Sequence, residues 1–259
     1  MSATAVSGEH RNEPQQQLGP LKLVHSYREA VQMMEQWVRA KSRGDPLAIL
    51  EAGCGTMWPL KLDGVPYTLT GVDLDQNALE VRRRSARPQD RLIHGDLRTR
   101  AQFGSGQFDV IYNSFVLEHV DGAQEVLDNF LEWLKPGGIL ILRVPDRDSV
   151  YGFLTRSTPF WLHVLIKKYV YKLANAGKPG YDPFPVFYDH VISRRGLHEY
   201  YRRQGCVIAG EAGSANYLPA QPLLRLMSRV LVIAVSLASL GRLEWRYNNL
   251  TLLIEKPRG

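Results

Sequence analysis

The sequence predicts a doubly wound α/β fold built on a mostly parallel sheet, and three observations carry that prediction. An apolar run that includes Ile49 and Leu50 enters a glycine turn, Gly53-Cys54-Gly55. A second run closes on Gly71-Val72-Asp73, which puts a carboxylate at the end of the next strand. Beyond it, strand-like and helix-like stretches alternate at the lengths that parallel crossovers require.

Residues 1–20 read as a flexible tail, because 2–18 are polar, lack periodicity and contain Pro14 and three consecutive glutamines. Residues 21–259 read as a single domain. Tyr27, Val31, Met34 and Val38 recur at helical spacing and predict a helix that stops near Gly44-Asp45-Pro46. The first strand of the alternating part is 47–52. The connection after it holds Pro59, Gly64 and Pro66, so only a distorted or abbreviated helix is expected there. A strand at 68–72, a helix to residue 84, a strand at 91–94, a short helix and a strand at 109–113 follow. Helix 123–134 and strand 139–144 complete the alternation.

The last third departs from that pattern. Two apolar yet basic segments, 160–173 and 223–240, interrupt it, with a helix at 194–204 and a strand at 206–210 between them. A closing strand spans 247–256. Neither segment suits a bilayer crossing, since only twelve uncharged residues separate Arg229 from Arg242 and a spanning helix needs about twenty. Segment 223–240 is read either as a buried helix roofing a pocket or as a helix lying on an anionic membrane surface.

The glycine turn lets backbone N–H groups approach a ligand with no Cβ in the way, and Asp73 is placed to accept hydrogen bonds from two ribose hydroxyls. A nucleoside ligand follows. A dinucleotide is disfavoured, because Trp58 and Pro59 occupy the place where a small residue lets a helix start close to a pyrophosphate.

These motifs resemble those of class I S-adenosylmethionine-dependent methyltransferases, in particular the small-molecule type 11-like domain. The family's acid-x-Gly-x-Gly-x-Gly turn is matched by Glu51, Gly53 and Gly55, with Met57 in the place of the last glycine. His94-Gly-Asp-Leu97, Phe108-Asp-Val-Ile-Tyr-Asn-Ser114, Leu117-Glu-His-Val120 and Leu134-Lys-Pro-Gly-Gly138 then occur in the family's order. The resemblance implies a Rossmann-like, seven-stranded sheet ending in an antiparallel strand, a cofactor half at 47–145 and acceptor-binding insertions at about 146–192 and 215–245. It also implies S-adenosylmethionine as cofactor. Glu51, Gly53, Cys54 and Gly55 would hold its methionine end, Asp73 with Leu74 the ribose, Asp96 and the Leu97 amide the adenine, and Asn113 would border the site.

The loop after strand 109–113 reads Asn113-Ser-Phe-Val116 and lacks the Asn/Asp-Pro-Pro-aromatic signature of amino-methylating enzymes. No cysteine sits in a motif like that of the cytosine C5 enzymes, which leaves an oxygen acceptor. His119 is a candidate general base, since an imidazole titrates near neutrality. Tyr188, Asp189 and His190 form a second candidate group, of which Tyr188 and His190 are carried as catalytic candidates. His94 and His163 read as structural, and no spacing of His or Cys suggests a metal site.

Charge is distributed unevenly. Residues 1–150 carry 17 Lys+Arg against 20 Asp+Glu, whereas 151–259 carry 15 against 6. The expected activity is O-methylation of a small hydrophobic, lipid-like or glycolipid acceptor. Alternatives are an RNA methyltransferase, disfavoured because the basic residues are interleaved with apolar runs, and a non-catalytic S-adenosylmethionine-binding protein. With two cysteines and no apolar stretch after Met1, the expected location is the cytoplasm, with membrane association left open. Oligomeric state is not legible.

Overall fold

The computed structural model describes residues 18–170, 172–178, 184, 186–215 and 222–258. Its centre is one eight-stranded sheet, one strand more than expected, in the order β1-β7-β8-β6-β5-β2-β3-β4. The strands are β1 (Lys22–Val24), β2 (Leu47–Ala52), β3 (Tyr67–Asp73), β4 (Arg91–His94), β5 (Phe108–Ser114), β6 (Leu134–Pro145), β7 (Val207–Ser214) and β8 (Asn249–Glu255). The additional strand is β1, which pairs in parallel with β7 on the outer edge. Only β8 runs against its neighbours, β6 and β7.

Seven α-helices are assigned among the described residues: α1 (Tyr27–Lys41), α2 (Gln76–Arg83), α3 (Ala123–Trp133), α4 (Val150–Ser157), α5 (Phe160–Leu165), α6 (Arg194–Arg203) and α7 (Pro222–Ala238). A π-helical turn, Ile166–Val170, continues α5. α1 begins where Ser26 Oγ accepts the Glu29 N–H and Glu29 reaches back to the His25 N–H, so two N-terminal donors are satisfied reciprocally. No regular helix forms between β2 and β3, in accord with the prolines and glycine there.

The central strands are buried on both faces, which is why they read as continuous apolar runs. On one face α1 places Met34 and Val38 against Ile49, Val110 and Ile141, with Leu60 and Leu62 of the helix-free connection filling the rest. On the other, α3 and α6 bury Phe130, Trp133, Leu197 and Tyr201 against Leu50, Ile111 and Leu140. The chain builds outward from β2 through β3 to β4, then returns to place β5 on the other side of β2. That reversal opens a crevice at the carboxyl ends of β2 and β5, the usual binding place in open α/β sheets.

Candidate active site

At that crevice the turn after β2 is held by its own backbone. The Gly53 and Cys54 N–H groups both donate to Val72 O, at 2.8 and 3.0 Å. Gly53 and Gly55 have φ of 74° and 49°, a region that favours glycine. Gly53 is further constrained, because a Cβ there would stand 2.2 Å from Val116 Cγ2. Val116 thus closes over the turn and links it to the loop after β5.

Asp73 is clamped by two backbone donors. The Gly55 N–H reaches Oδ2 at 2.7 Å and the Asp75 N–H reaches Oδ1 at 2.9 Å. Each carboxylate oxygen keeps a further lone pair, and the side chain is half-buried. Leu74 beside it is exposed, and its carbonyl lies 3.0 Å from the His94 ring Nε2. Asn113 is buried and donates to Ala52 O at 2.8 Å, bracing the start of the glycine turn.

The other cofactor candidates have partners of their own. Glu51 is buried against buried Arg82 at 2.9 Å, and burial pushes its carboxyl up to about 8 against the pull of the guanidinium and with further repulsion from Asp73. The carboxylate of Asp96 is gripped by Arg98, at 2.7 Å for the shortest contact, which holds it below the usual range. Leu97 is buried, and its carbonyl accepts from Asn129 Nδ2 at 2.9 Å. Burial drives the Cys54 thiol up to about 12, so it has no thiolate character at neutral pH.

Beyond Val116 lies a cavity of about 580 Å³. Its floor comes from the ends of β5 and β6, through Phe115, Glu118, His119 and Pro145. Its walls come from α4, α5 and the segment around Phe184 to Tyr188. Phe115 and Tyr188 adopt φ of 56° and 47°, left-handed conformations that non-glycine residues rarely hold and that concentrate at functional sites. The Arg143 guanidinium lies 4.8 Å from the Phe115 ring centroid and supports it from behind.

Of the three catalytic candidates, the fold brings two to this cavity. His119 lines it and meets the Phe184 ring edge-on at 5.8 Å. Tyr188 lines it too, buried, with its phenol pushed to a higher pKa by burial. His190 is exposed and outside the lining. His163, read as structural, is on the cavity wall, 2.6 Å from Thr158 Oγ1.

Glu118 was missed by sequence reasoning and is the cavity's most consequential group. Its side chain is 4% exposed, its Oε2 has no hydrogen-bond partner, and burial raises its carboxyl to about 8. An orphaned buried carboxyl oxygen is costly, and Glu118 carries one at the edge of the cavity that it helps to line. The signal available in the sequence was only its place between Leu117 and His119.

None of the described lining residues comes from α7. The roof is α4 and α5 instead, and α7 packs against α4 from outside. A second hollow, of about 450 Å³ and lined by Lys41, Asp45, Asp109 and Lys135, lies at the opposite, amino ends of the strands. It is remote from the glycine turn. Among the described residues, no cluster of His, Cys, Asp and Glu could hold a metal ion.

The sheet order and the glycine turn at the carboxyl end of β2 define a doubly wound α/β domain. Residues 50–142 match the family model described as a methyltransferase domain, so this part of the chain is a methyltransferase domain. Among curated relatives it is 32% identical over 128 residues to a malonyl-[acyl-carrier protein] O-methyltransferase of Halalkalibacterium halodurans. That match spans about half of each chain, 47% of both. It is 26% identical over 179 residues to a ubiquinone biosynthesis O-methyltransferase of Thiobacillus denitrificans, covering 66% of this chain and 67% of the relative. The fold is that of a magnesium protoporphyrin IX methyltransferase from Synechocystis solved with bound SAH, at a TM-score of 0.55, 15% identity and 88% and 83% coverage of this chain and that one. A SAM-dependent methyltransferase from Archaeoglobus fulgidus gives a TM-score of 0.52 at 15% identity, with 88% and 94% covered.

Proposed function

We propose that the protein transfers the methyl group of S-adenosylmethionine to an oxygen of a small, largely apolar acceptor. The observation that carries this reading is the 580 Å³ cavity next to Phe115, which the buried residue Glu118 helps to line. Asp73 holds the ribose diol, and the Gly53–Gly55 turn leaves room for the methionine end. Glu51 with Arg82, and Asp96 with Arg98, act on the cofactor through shared or reorganised hydrogen bonds.

Methyl transfer is an in-line displacement: the acceptor oxygen attacks the methyl carbon as the carbon–sulfur bond breaks, and the acceptor proton leaves to a base. Cavity walls from α4 and α5 orient the acceptor and exclude water. Glu118, with a carboxyl near 8, is matched to take a hydroxyl proton at mildly alkaline pH, and His119 stands beside it. The O-methyltransferase relatives favour an oxygen acceptor, and the apolar wall residues Leu154, Leu162 and Ile166 favour an acceptor with a hydrocarbon portion.

The test is incubation of cell extract with the protein and methyl-labelled S-adenosylmethionine, followed by partition between organic and aqueous phases. Label in the organic phase supports the reading, and label confined to polar metabolites or RNA refutes it. Glu118→Gln should lower turnover about 100-fold, the scale of a lost general base, with cofactor affinity unchanged.

A further inference from the structure

α7 is amphipathic in the wrong sense for a helix that belongs to the core. At 100° per residue, Val232 and Ser236, which are buried, share a stripe with half-buried Ser228, Val235 and Ser239. The opposite stripe carries the large apolar side chains: Leu223, Leu226, Met227, Val230, Leu231 and Leu237 are 55–71% exposed. A helix ordinarily turns its larger apolar residues inward. Here small and hydroxyl residues face the protein, and the outward stripe is contiguous over the length of the helix.

The neighbouring surface has the same character. α4 packs against α7, and the α5 turn that follows it exposes Trp161 and Tyr169, at 62% and 68%. Residues 150–178 and 222–243 together contain no Asp or Glu but eight Lys or Arg, among them exposed Lys168, Lys172, Arg225 and Arg229. No described helix is long and apolar enough to cross a membrane.

We infer that α7 and the α5 turn form a platform that seats the protein on an anionic lipid bilayer, with α7 in the interface plane. The outward stripe enters the boundary between headgroups and acyl chains, and the flanking arginines and lysines meet lipid phosphates. A second copy of the chain is the poorer occupant, because a two-fold contact would bring together two copies of the same Lys- and Arg-rich segments. An acidic soluble protein would satisfy the cations and leave the apolar stripe unmatched. The inference stands apart from the methyl-transfer reading, although Ile166 and Lys167 of the same turn line the cavity, so an acceptor dissolved in the bilayer would have a short route in.

Flotation of the full chain with phosphatidylcholine vesicles, with and without phosphatidylglycerol, tests it. The intact protein should rise with the anionic vesicles, remain below with the neutral ones, and be released by high salt in part. Arg225→Gln with Arg229→Gln should weaken binding about 30-fold, and Val230→Glu with Leu237→Glu should abolish it while the unfolding midpoint and cofactor affinity hold. Leu223→Gln with Leu226→Gln repeats the comparison if the glutamate pair does not fold. The inference is overturned if the intact chain ignores anionic vesicles, if the apolar-stripe variants float unchanged, or if light scattering shows a dimer that those variants dissociate.

Discussion

Replacing Glu118 by Gln should make the protein more stable, by an amount that grows with pH. Burial raises this carboxyl from 4.5 to about 8 in the folded chain, and its Oε2 has no partner to repay ionisation. A group whose folded pKa is raised contributes stability that is complete below the unfolded pKa and is lost as pH climbs to the folded one. Between those limits the unfolded chain ionises freely while the fold holds a proton, at about 1.4 kcal/mol per pH unit. The full interval amounts to about 5 kcal/mol, and the step from pH 5.5 to 7.5 to about 3 kcal/mol. Gln has no such dependence. Urea unfolding of both proteins at pH 5.5, 6.5 and 7.5 cancels every other titrating group in the difference. With a denaturant slope of about 3 kcal/mol/M, the gap in midpoint should widen by about 1 M over that range. A gap that stays constant with pH would show that Glu118 does not hold its proton in the fold, and would remove it as the cavity's base. Together with slower turnover, a gain in stability would be the usual signature of a strained functional group.

Three further outcomes follow from the same geometry. In the active range, kcat/KM should rise as pH approaches about 8 and Glu118 ionises, and that limb should vanish in Glu118→Gln; an unchanged profile would point to His119. Gly53→Ala combines a φ of 74° with a 2.2 Å approach to Val116, so it should cost several-fold in cofactor affinity and about 1–3 kcal/mol of stability, with Val116→Ala restoring only part because the dihedral penalty remains. Arg82→Met leaves Glu51 without its buried partner and raises its carboxyl further above about 8, so the cost of the substitution should be nearly constant from pH 5 to 7 and grow as pH climbs past about 8; urea unfolding at pH 5, 7 and 9 reads the difference.

The central sheet was legible because its strands are sandwiched between helices, which forces continuous apolar runs. β2 and β4 fall on the residues expected, and the helix-free span between β2 and β3 was announced by Pro59, Gly64 and Pro66. β1 was not legible, since three residues with one buried side chain leave no period to detect. β6 begins at Leu134, earlier than the expected 139, because Pro136, Gly137 and Gly138 carry no strand-like apolar pattern although the strand runs through them.

At the site, the glycine turn and Asp73 were readable because both roles depend on residue type at fixed local spacing. Glu118 was not, because its effect arises from burial by walls that begin at Tyr151 and return at Phe184, far away in the chain. Helix α7 was readable as a helix but not in its orientation. Its apolar content is high on every scale, and only the packing of Val232 and Ser236 shows which side is turned in.

Asp73 and the glycine turn are the proposed seat of S-adenosylmethionine, and titration calorimetry of the purified chain tests that most directly. Binding of S-adenosylmethionine and S-adenosylhomocysteine is predicted, with Asp73→Ala weakening both at least tenfold, the loss of charge-assisted hydrogen bonds to a diol. No heat of binding to either compound, or equal affinity in the Asp73→Ala protein, would contradict it.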